Sequence, residues 1–183
     1  MGAETLNGLG AFWFLRFCIA RLAAVSINVE VTEGGKPYQA FGNLTGFPSD
    51  VIYHNEMDHD VQWKVLLDAA KYNFPMVSCV NSLELGEAKA IKAKGLADHH
   101  AYTLLTALSI IDEDGTVLRL IKIRNPYGTR AKREWQQDWH EESLGYMKKV
   151  HAKLGVNDDR DGIFWISFEH FIKFFYCTAI CLY

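Results

Sequence analysis

The alternation of apolar and polar residues along the middle of the chain predicts two neighbouring β-strands. Ala101 to Ile111 is the first candidate, and Val117 to Arg124 is the second. Between them lies Asp112-Glu113-Asp114-Gly115, whose Asp-Gly step is a strong hairpin signal. Short apolar runs at Met76–Val80 and Gly162–Ile166 predict two further strands. The pattern therefore indicates an antiparallel hairpin within a larger sheet.

Segments with the periodicity of an α-helix lie before and after this hairpin in the sequence. Asp60 to Tyr72 carries apolar residues on one face, and Asp60 is either the N-cap of that helix or part of its first turn. Ser167 stands directly before an aromatic-rich run, so it can cap a helix from Phe168 to Phe175. Phe12 to Val25 is apolar on nearly every face, which predicts a helix buried on several sides.

Two stretches give a weaker signal. Tyr38 to Gly46 is short and broken by glycines, and no regular element is predicted there. Lys132 to Tyr146 is charged and punctuated by tryptophans, which indicates a loop with a short helix.

Composition and charge narrow the class of protein. The chain has 183 residues, of which 49% are hydrophobic and 22% charged, as expected for one globular domain. The net charge of −3 gives no electrostatic reason to expect a nucleic acid or an anionic membrane as partner. Arg16 and Arg21 interrupt the apolar stretch Leu9 to Val31, so no membrane span of ~20 residues is predicted.

Cysteine usage points to a reducing compartment. The four cysteines show no CxxC spacing, and no signal peptide is evident; they are Cys18, Cys79, Cys177 and Cys181. We therefore expect reduced and mostly buried thiols in a cytoplasmic protein.

A histidine and an asparagine flank the predicted hairpin and form the candidate site. His100 begins the first strand, and Asn125 follows the second, so the hairpin can bring them to one rim of the sheet. Taken singly, His100 fits an ordinary rim histidine, and Asn125-Pro126 fits a simple turn. A thiol protease, however, needs an imidazole that takes the cysteine proton and a third group that orients this imidazole. The pair fits these two roles.

Four sequence blocks, in this order, resemble the calpain family of cysteine peptidases. The resemblance covers the chain from Gly34 to the C-terminus. The blocks are Gly95-Leu-Ala-Asp-His-His100-Ala-Tyr, Arg124-Asn-Pro-Tyr-Gly128, Glu134-Trp-Gln-Gln-Asp-Trp139 and Asp161-Gly-Ile-Phe-Trp-Ile-Ser-Phe-Glu-His-Phe171. Four ordered motifs are specific, although each alone carries the usual false-positive risk.

The resemblance implies an α+β fold, namely the β-rich lobe of a papain-like peptidase. This lobe is an antiparallel sheet or barrel with an N-terminal helix and a few peripheral helices. On this basis residues 1–33 are a helical remnant of the first lobe, and residues 34–183 are the catalytic second lobe.

The resemblance also implies roles for individual residues. His100 corresponds to the general base, and Asn125 to the residue that orients it. Tyr127 stands where the family usually carries a tryptophan that shields the His–Asn hydrogen bond. Trp135 and Trp139 are expected to pack on the lobe rather than to take part in chemistry.

The chain departs from the family pattern at the nucleophile. The family places its cysteine in a Gln-Gly-x-x-Gly-Asp-Cys-Trp context, whereas this chain reads Asn7-Gly8-Leu9-Gly10-Ala11-Phe12-Trp13. In one register Phe12 replaces the cysteine. In the other, which we favour, Phe12-Trp13 matches the helix that closes the first lobe. Both registers predict that this chain lacks the nucleophilic thiol.

Cofactors and metals are not expected at the site. No EF-hand loop is present, and calcium is left open because Asp50, Asp58, Asp60 and Asn81 supply oxygen atoms near loops of the second lobe. The cluster from His54 to Asp60 fits a solvated polar loop better than any standard metal spacing.

Three functional hypotheses follow. The first is a portion of a calpain-like cysteine endopeptidase that carries the His and Asn but is inactive alone, with protein or peptide substrates. The second is a pseudoprotease that acts as a peptide-binding, protein-binding or regulatory module. A metal-dependent hydrolase built on the His54–His59 cluster is a distant third. For partners we expect self-association or a chain that bears a first lobe.

Overall fold

The predicted hairpin forms the centre of a mixed helix-and-sheet structure. A computed structural model describes residues 35–81, 85–111, 115–128, 135 and 162–183. In chain order, the described elements are α1 (Pro37–Thr45), β1 (Ser49–Tyr53), α2 (His59–Lys71), β2 (Met76–Val80), α3 (Leu85–Ala93), β3 (His100–Ile111), β4 (Val117–Arg124), β5 (Ile163–Ser167), α4 (Phe168–Phe174) and β6 (Cys177–Cys181). These elements confirm the α+β class. The predicted helix Phe12–Val25 and most of Lys132–Tyr146 lie outside the described residues.

The six strands form one sheet in the order β1-β6-β2-β3-β4-β5. The β6–β2, β2–β3, β3–β4 and β4–β5 pairs are antiparallel. In the register, Val80 pairs with His100 and Thr103 pairs with Arg124. The start of β3 and the end of β4 therefore meet at the same rim of the sheet. A register shift lies between Leu104 and Thr106.

One face of the sheet carries the main core. Helix α2 packs on β3, and α4 packs on β4 and β5. The two helices also meet each other, since the rings of Trp63 and Phe168 lie 4.9 Å apart. Alternation places buried side chains from three strands on this face: Tyr102, Leu104, Ile121, Ile123, Phe164 and Ile166. This packing fixes the strands whose ends carry His100 and Asn125.

Local caps explain where two helices begin. The side chain of Asp58 accepts hydrogen bonds from the backbone N–H groups of Asp60 and Val61, so Asp58 is the N-cap of α2 and Asp60 lies in the first turn. The predicted cap of α4 is confirmed, because the Ser167 hydroxyl accepts from the His170 N–H at 3.3 Å.

Helices α1 and α3 form where the sequence pattern predicted no element. In α1, Pro37 occupies a first-turn position at which its missing N–H costs nothing. Gly46 ends the same helix in a left-handed conformation, with φ of 75°. The terminal signals of α1 were therefore present, although Gly42 obscured its interior.

Two compact units make up the chain. One holds the described residues of 1–50 together with 181–183, and the other holds the described residues of 51–180. In the first unit the Ser49 hydroxyl donates to the carbonyl oxygen of Tyr38 at 3.0 Å. The second unit contains the sheet core and both candidate site residues. No helix among the described residues is long and apolar enough to cross a membrane. The predicted division at residue 33 stays a prediction, because residues 1–34 lie outside the described part.

Candidate active site

His100 and Asn125 meet in a direct side-chain hydrogen bond. His100 is the first residue of β3, and Asn125 immediately follows β4. The antiparallel register brings the two residues to one rim, where Nε2 of His100 lies 3.0 Å from Oδ1 of Asn125. The predicted proximity of the two side chains is confirmed.

A tight turn holds Asn125 in place. Its backbone N–H donates to the Gly162 carbonyl at 2.8 Å, and its carbonyl accepts from the Gly128 N–H at 3.0 Å. The Oδ1 atom accepts a second hydrogen bond, from the Tyr127 N–H, at 3.1 Å. Asn125 is 4% exposed, so these bonds form away from bulk water. The amide is thus fixed with its oxygen toward His100.

These hydrogen bonds determine the tautomer of a neutral His100. The backbone N–H of Tyr127 can only donate, and its bond to one atom of the Asn125 amide identifies that atom as the oxygen, an acceptor. Nε2 of His100 must therefore carry the proton and donate it. The lone pair of the neutral ring then lies on Nδ1, which is the nitrogen free to act as a base.

Two tyrosines fix the plane of the imidazole ring. Tyr127 stacks on it, with ring centroids 4.3 Å apart and an interplanar angle of 18°. Tyr102 meets it edge-on at 4.9 Å and 82°. Tyr127 is 58% exposed and therefore covers the His–Asn bond from the solvent side. Tyrosine can fill the shielding role that the resemblance assigns to a tryptophan at this position.

Tyr102 also anchors the segment that leads into β3. Its hydroxyl oxygen accepts a hydrogen bond from the Ala97 N–H at 2.7 Å. Burial raises the pKa of Tyr102 to about 12, so the hydroxyl stays neutral under ordinary conditions. Between these residues, His99 adopts a positive φ of 48°. Tyr102 was not among the predicted site residues, although a residue two positions after His100 shares its face of a strand.

The cysteines of the described part are all buried and free. They are Cys79, Cys177 and Cys181. Cys79 pairs with Ala101 in the register, whereas His100 pairs with Val80. Side-chain alternation therefore places Cys79 on the opposite face from the Val80–His100 pair. Cys18 lies outside the described residues.

His54 is a structural residue rather than part of an open polar cluster. It is 3% exposed, its Nδ1 donates to the Phe175 carbonyl at 2.7 Å, and its Nε2 accepts from the Thr178 hydroxyl at 2.9 Å. Burial lowers its pKa to about 4. Nearby, Asp60 forms an ion pair with Arg119. Within the described ranges, no three His, Cys, Asp or Glu side chains converge to hold a metal ion.

Trp135 packs on the lobe, as predicted. It is 1% exposed, and its ring lies 5.4 Å from that of His170 and 5.5 Å from that of Phe174. Trp139 lies outside the described residues, so its packing stays a prediction.

An antiparallel sheet that presents a hydrogen-bonded histidine and asparagine at one rim is typical of the second lobe of a papain-like cysteine protease. The family model described as calpain family cysteine protease matches residues 12–182. The chain therefore belongs to the calpain family of cysteine proteases.

Individual relatives agree with this assignment. Over 162 residues the chain is 28% identical to Calpain-9 of Rattus norvegicus, covering 87% of this chain and 23% of the relative. It is 30% identical to Calpain-A of Drosophila melanogaster, covering 84% of this chain and 19% of the relative. It is 28% identical to the Calpain-1 catalytic subunit of Mus musculus, and the match covers 87% of this chain and 22% of the relative. The chain thus spans about a fifth of the length of these relatives.

Among solved structures, the chain is similar to the one titled "Crystal Structure Analysis of SERA5E from plasmodium falciparum". The TM-score is 0.42 at 11% identity, over 73% of this chain and 46% of that chain. A likeness this distant carries no argument here.

Proposed function

We propose that this chain supplies the histidine–asparagine half of a Cys-His-Asn proteolytic site, with His100 as general base and Asn125 as the residue that orients it. The observation that carries the proposal is the 3.0 Å hydrogen bond from His100 Nε2 to Asn125 Oδ1. The substrate class is protein or peptide, in keeping with the calpain cysteine protease family.

The chemistry of these residues follows from the tautomer. In such a site, Nδ1 of His100 takes the proton of the attacking thiol and later gives it to the leaving amine. Asn125 holds the ring through Nε2 and stabilises the imidazolium that forms when Nδ1 is protonated. Tyr127 excludes water from the hydrogen bond by stacking on the ring.

We further propose that this chain does not hydrolyse peptides by itself. No cysteine in the sequence stands in a Gly-x-Cys-Trp context. The cysteines of the described part are buried, and the neighbouring Cys177 thiol together with burial raises the pKa of Cys79. Removal of the nucleophile from a catalytic triad costs a factor on the order of a million in turnover. His100 and Asn125 alone would therefore leave no measurable peptidase activity.

A second candidate function is a cytoplasmic pseudoprotease that binds peptides without cleaving them. The observation that favours it is the intact rim: the His–Asn bond and its tyrosine cover persist in a chain with no thiol in the nucleophile context. In this reading residues 34–183 form the binding module, and residues 1–33 are a remnant of the first lobe.

One pair of assays tests the proposal and separates the two candidates. The purified chain is incubated with casein and with a peptide amide, with and without calcium, and its binding to a fluorescent casein peptide is measured by anisotropy. Both candidates predict no hydrolysis, and cleavage that a thiol-reactive inhibitor blocks would overturn them. The pseudoprotease alone predicts saturable peptide binding, with a Kd of about 10 μM or tighter.

A further inference from the structure

Two cysteines that the proposed chemistry does not use lie directly opposite each other on neighbouring strands. Cys79 of β2 pairs with Cys177 of β6 in the antiparallel register. Both are free and buried. Directly opposed residues in such a pair have Cα atoms about 4.5 or 5.5 Å apart, and both values lie within the usual range for a disulfide. The backbone therefore already has the spacing that a bridge needs.

The side chains of the two cysteines also interact. The Cys79 and Cys177 thiols and the Tyr176 hydroxyl lie close enough that each group affects the pKa of the others. Tyr176 is 41% exposed, so the group extends from the buried sulfur atoms to the protein surface. Burial raises the pKa of Tyr176, which keeps its hydroxyl a donor.

This arrangement makes the two sulfur atoms unequal. The neighbouring Cys79 thiol lowers the pKa of Cys177 to about 7, against the opposing effect of burial. In turn, the Cys177 thiol together with burial raises the pKa of Cys79. Cys177 is therefore the more readily ionised thiol of the pair, and Cys79 is the less readily ionised one beside it.

We propose that Cys79 and Cys177 form a reversible disulfide between β2 and β6 when the protein is exposed to a peroxide. The Cys177 thiolate attacks one oxygen of hydrogen peroxide and becomes a sulfenic acid, and the other oxygen leaves as hydroxide and is protonated to water. The Cys79 sulfur then attacks the sulfenic sulfur, and a second water is released. In total, two thiols and one hydrogen peroxide molecule are converted to one disulfide and two water molecules.

The bridge would affect the part of the sheet next to the candidate site. Cys79 also pairs with Ala101 of β3, the residue after His100. A covalent link between β6 and β2 would therefore restrain the strand that positions β3. It would also close a long loop that contains both His100 and Asn125, which restricts the unfolded chain. We expect the oxidised protein to unfold at a higher denaturant concentration than the reduced protein.

The test uses the full-length chain and hydrogen peroxide. The folded protein is oxidised, its remaining thiols are alkylated, and its peptides are mapped by mass spectrometry without reductant. We expect one peptide pair joined through Cys79 and Cys177, about 2 Da lighter than the two free peptides together and separated by dithiothreitol. The variant Cys181→Ser should form the same bridge, whereas Cys79→Ser should leave Cys177 as a sulfenic or sulfinic acid.

Three outcomes would overturn the inference. They are full alkylation of both cysteines after oxidation of the folded wild-type protein, stepwise oxidation of Cys177 with no cross-link, and a bridge to Cys18 or Cys181. Each of these outcomes can be measured on the wild-type protein, so the test does not depend on whether a variant folds. None of the outcomes bears on the roles proposed for His100 and Asn125.

Discussion

At the scale of single residues, Asn125 accepts two hydrogen bonds at one buried oxygen. One comes from His100 Nε2 and the other from the Tyr127 N–H. We predict that Asn125→Ala leaves both donors without their acceptor and lowers the free energy of unfolding by about 1–3 kcal/mol. In nitrogen-detected NMR, neutral His100 of this variant should also lose its strict preference for the Nε2–H tautomer.

Asn125→Asp is the matched control, because a carboxylate keeps an oxygen at the same position. It should retain the Nε2–H tautomer of His100. If the alanine variant kept that tautomer as firmly as the wild-type protein, the role assigned to Asn125 would be wrong.

Gly162 supports the site by allowing a close approach of the backbone. Its φ is +83°, and a Cβ placed there would lie 2.9 Å from the Asn125 carbonyl oxygen and 2.9 Å from Gly128 Cα. We predict that Gly162→Ala costs about 1–2 kcal/mol for the left-handed backbone and a further loss from the clash. The turn must shift, so the NMR signals of His100 should move as well.

Gly115→Ala separates the two contributions. Gly115 has a similar φ of +85°, but a Cβ there would meet no described atom within 4 Å. This control should therefore lose only the backbone contribution and leave the His100 signals unchanged. Equal losses of stability in the two variants, measured by chemical denaturation, would contradict the packing argument.

The sequence was sufficient to predict the two residues that meet at the rim, but not their support. His100 and Asn125 follow from strand ends joined by a hairpin. Gly162 is distant in sequence from Asn125, and no local pattern indicates that its carbonyl accepts the Asn125 N–H. Contacts of this kind depend on the pairing of β4 with β5, which is decided by tertiary packing.

At the scale of elements, His54 connects the end of β1 to the residue that follows α4 and to β6. It bonds the Phe175 carbonyl and the Thr178 hydroxyl, and the latter also bonds the Ser78 hydroxyl. Burial lowers its pKa to about 4 from the ordinary value of 6.5. At a pH between these two pKa values, His54 is protonated in the unfolded chain but neutral in the folded protein. The free energy of unfolding therefore falls as the pH falls.

We therefore predict that His54 contributes a loss of about 2 kcal/mol in unfolding free energy between pH 7 and pH 5, with full stability present above about pH 6.5. Urea denaturation at several pH values measures this slope. His54→Gln removes the titrating ring and should flatten the profile. The exposed His99, as His99→Asn, is the control and should keep the wild-type slope. A steep profile that survived in His54→Gln would refute the assignment.

Arg119 shows why element packing was harder to predict than the elements themselves. It lies on the same face of β4 as the buried Ile121 and Ile123, whereas Lys122 and Arg124 lie on the other face. Its guanidinium bonds Asp60 of α2 at 2.8 Å and Glu169 of α4 at 3.1 Å, and lies 4.8 Å from the Phe168 ring centroid. A charged residue on the core side therefore joins two helices, which no period in the sequence reveals.

At the scale of the whole molecule, the predicted α+β lobe and its family are confirmed. Apolar runs, alternation and helical periods were strong enough to identify β2, β3, β4, β5 and α2, and the Ser167 cap indicated α4. Helix α3 was not predicted because its nine residues are mostly small or charged and form no clear apolar face. A helix this short depends on packing for its stability. The absence of catalysis and the division into lobes stay proposals.

The N-terminal segment supports a prediction of association. In a helix from Phe12 to Val25, successive side chains point about 100° apart, so Phe12, Trp13, Phe14 and Phe17 cannot all face one surface. Exposed apolar patches above a few hundred Å² usually mark an interface. We expect self-association or binding of a chain that bears a first lobe. A monodisperse monomer at micromolar concentration in light scattering, with no binding of a hydrophobic dye, would count against this.

The central claim is that the chain carries the histidine and asparagine of the proteolytic site without a thiol that they activate. A peptidyl epoxide that alkylates active-site thiolates tests it most directly, with wild-type protein and His100→Ala compared by mass spectrometry and by casein hydrolysis. We predict that labelling of any cysteine is the same in the two proteins and that neither cleaves casein. Labelling of one cysteine that requires His100, together with casein cleavage that the epoxide blocks, would contradict the account.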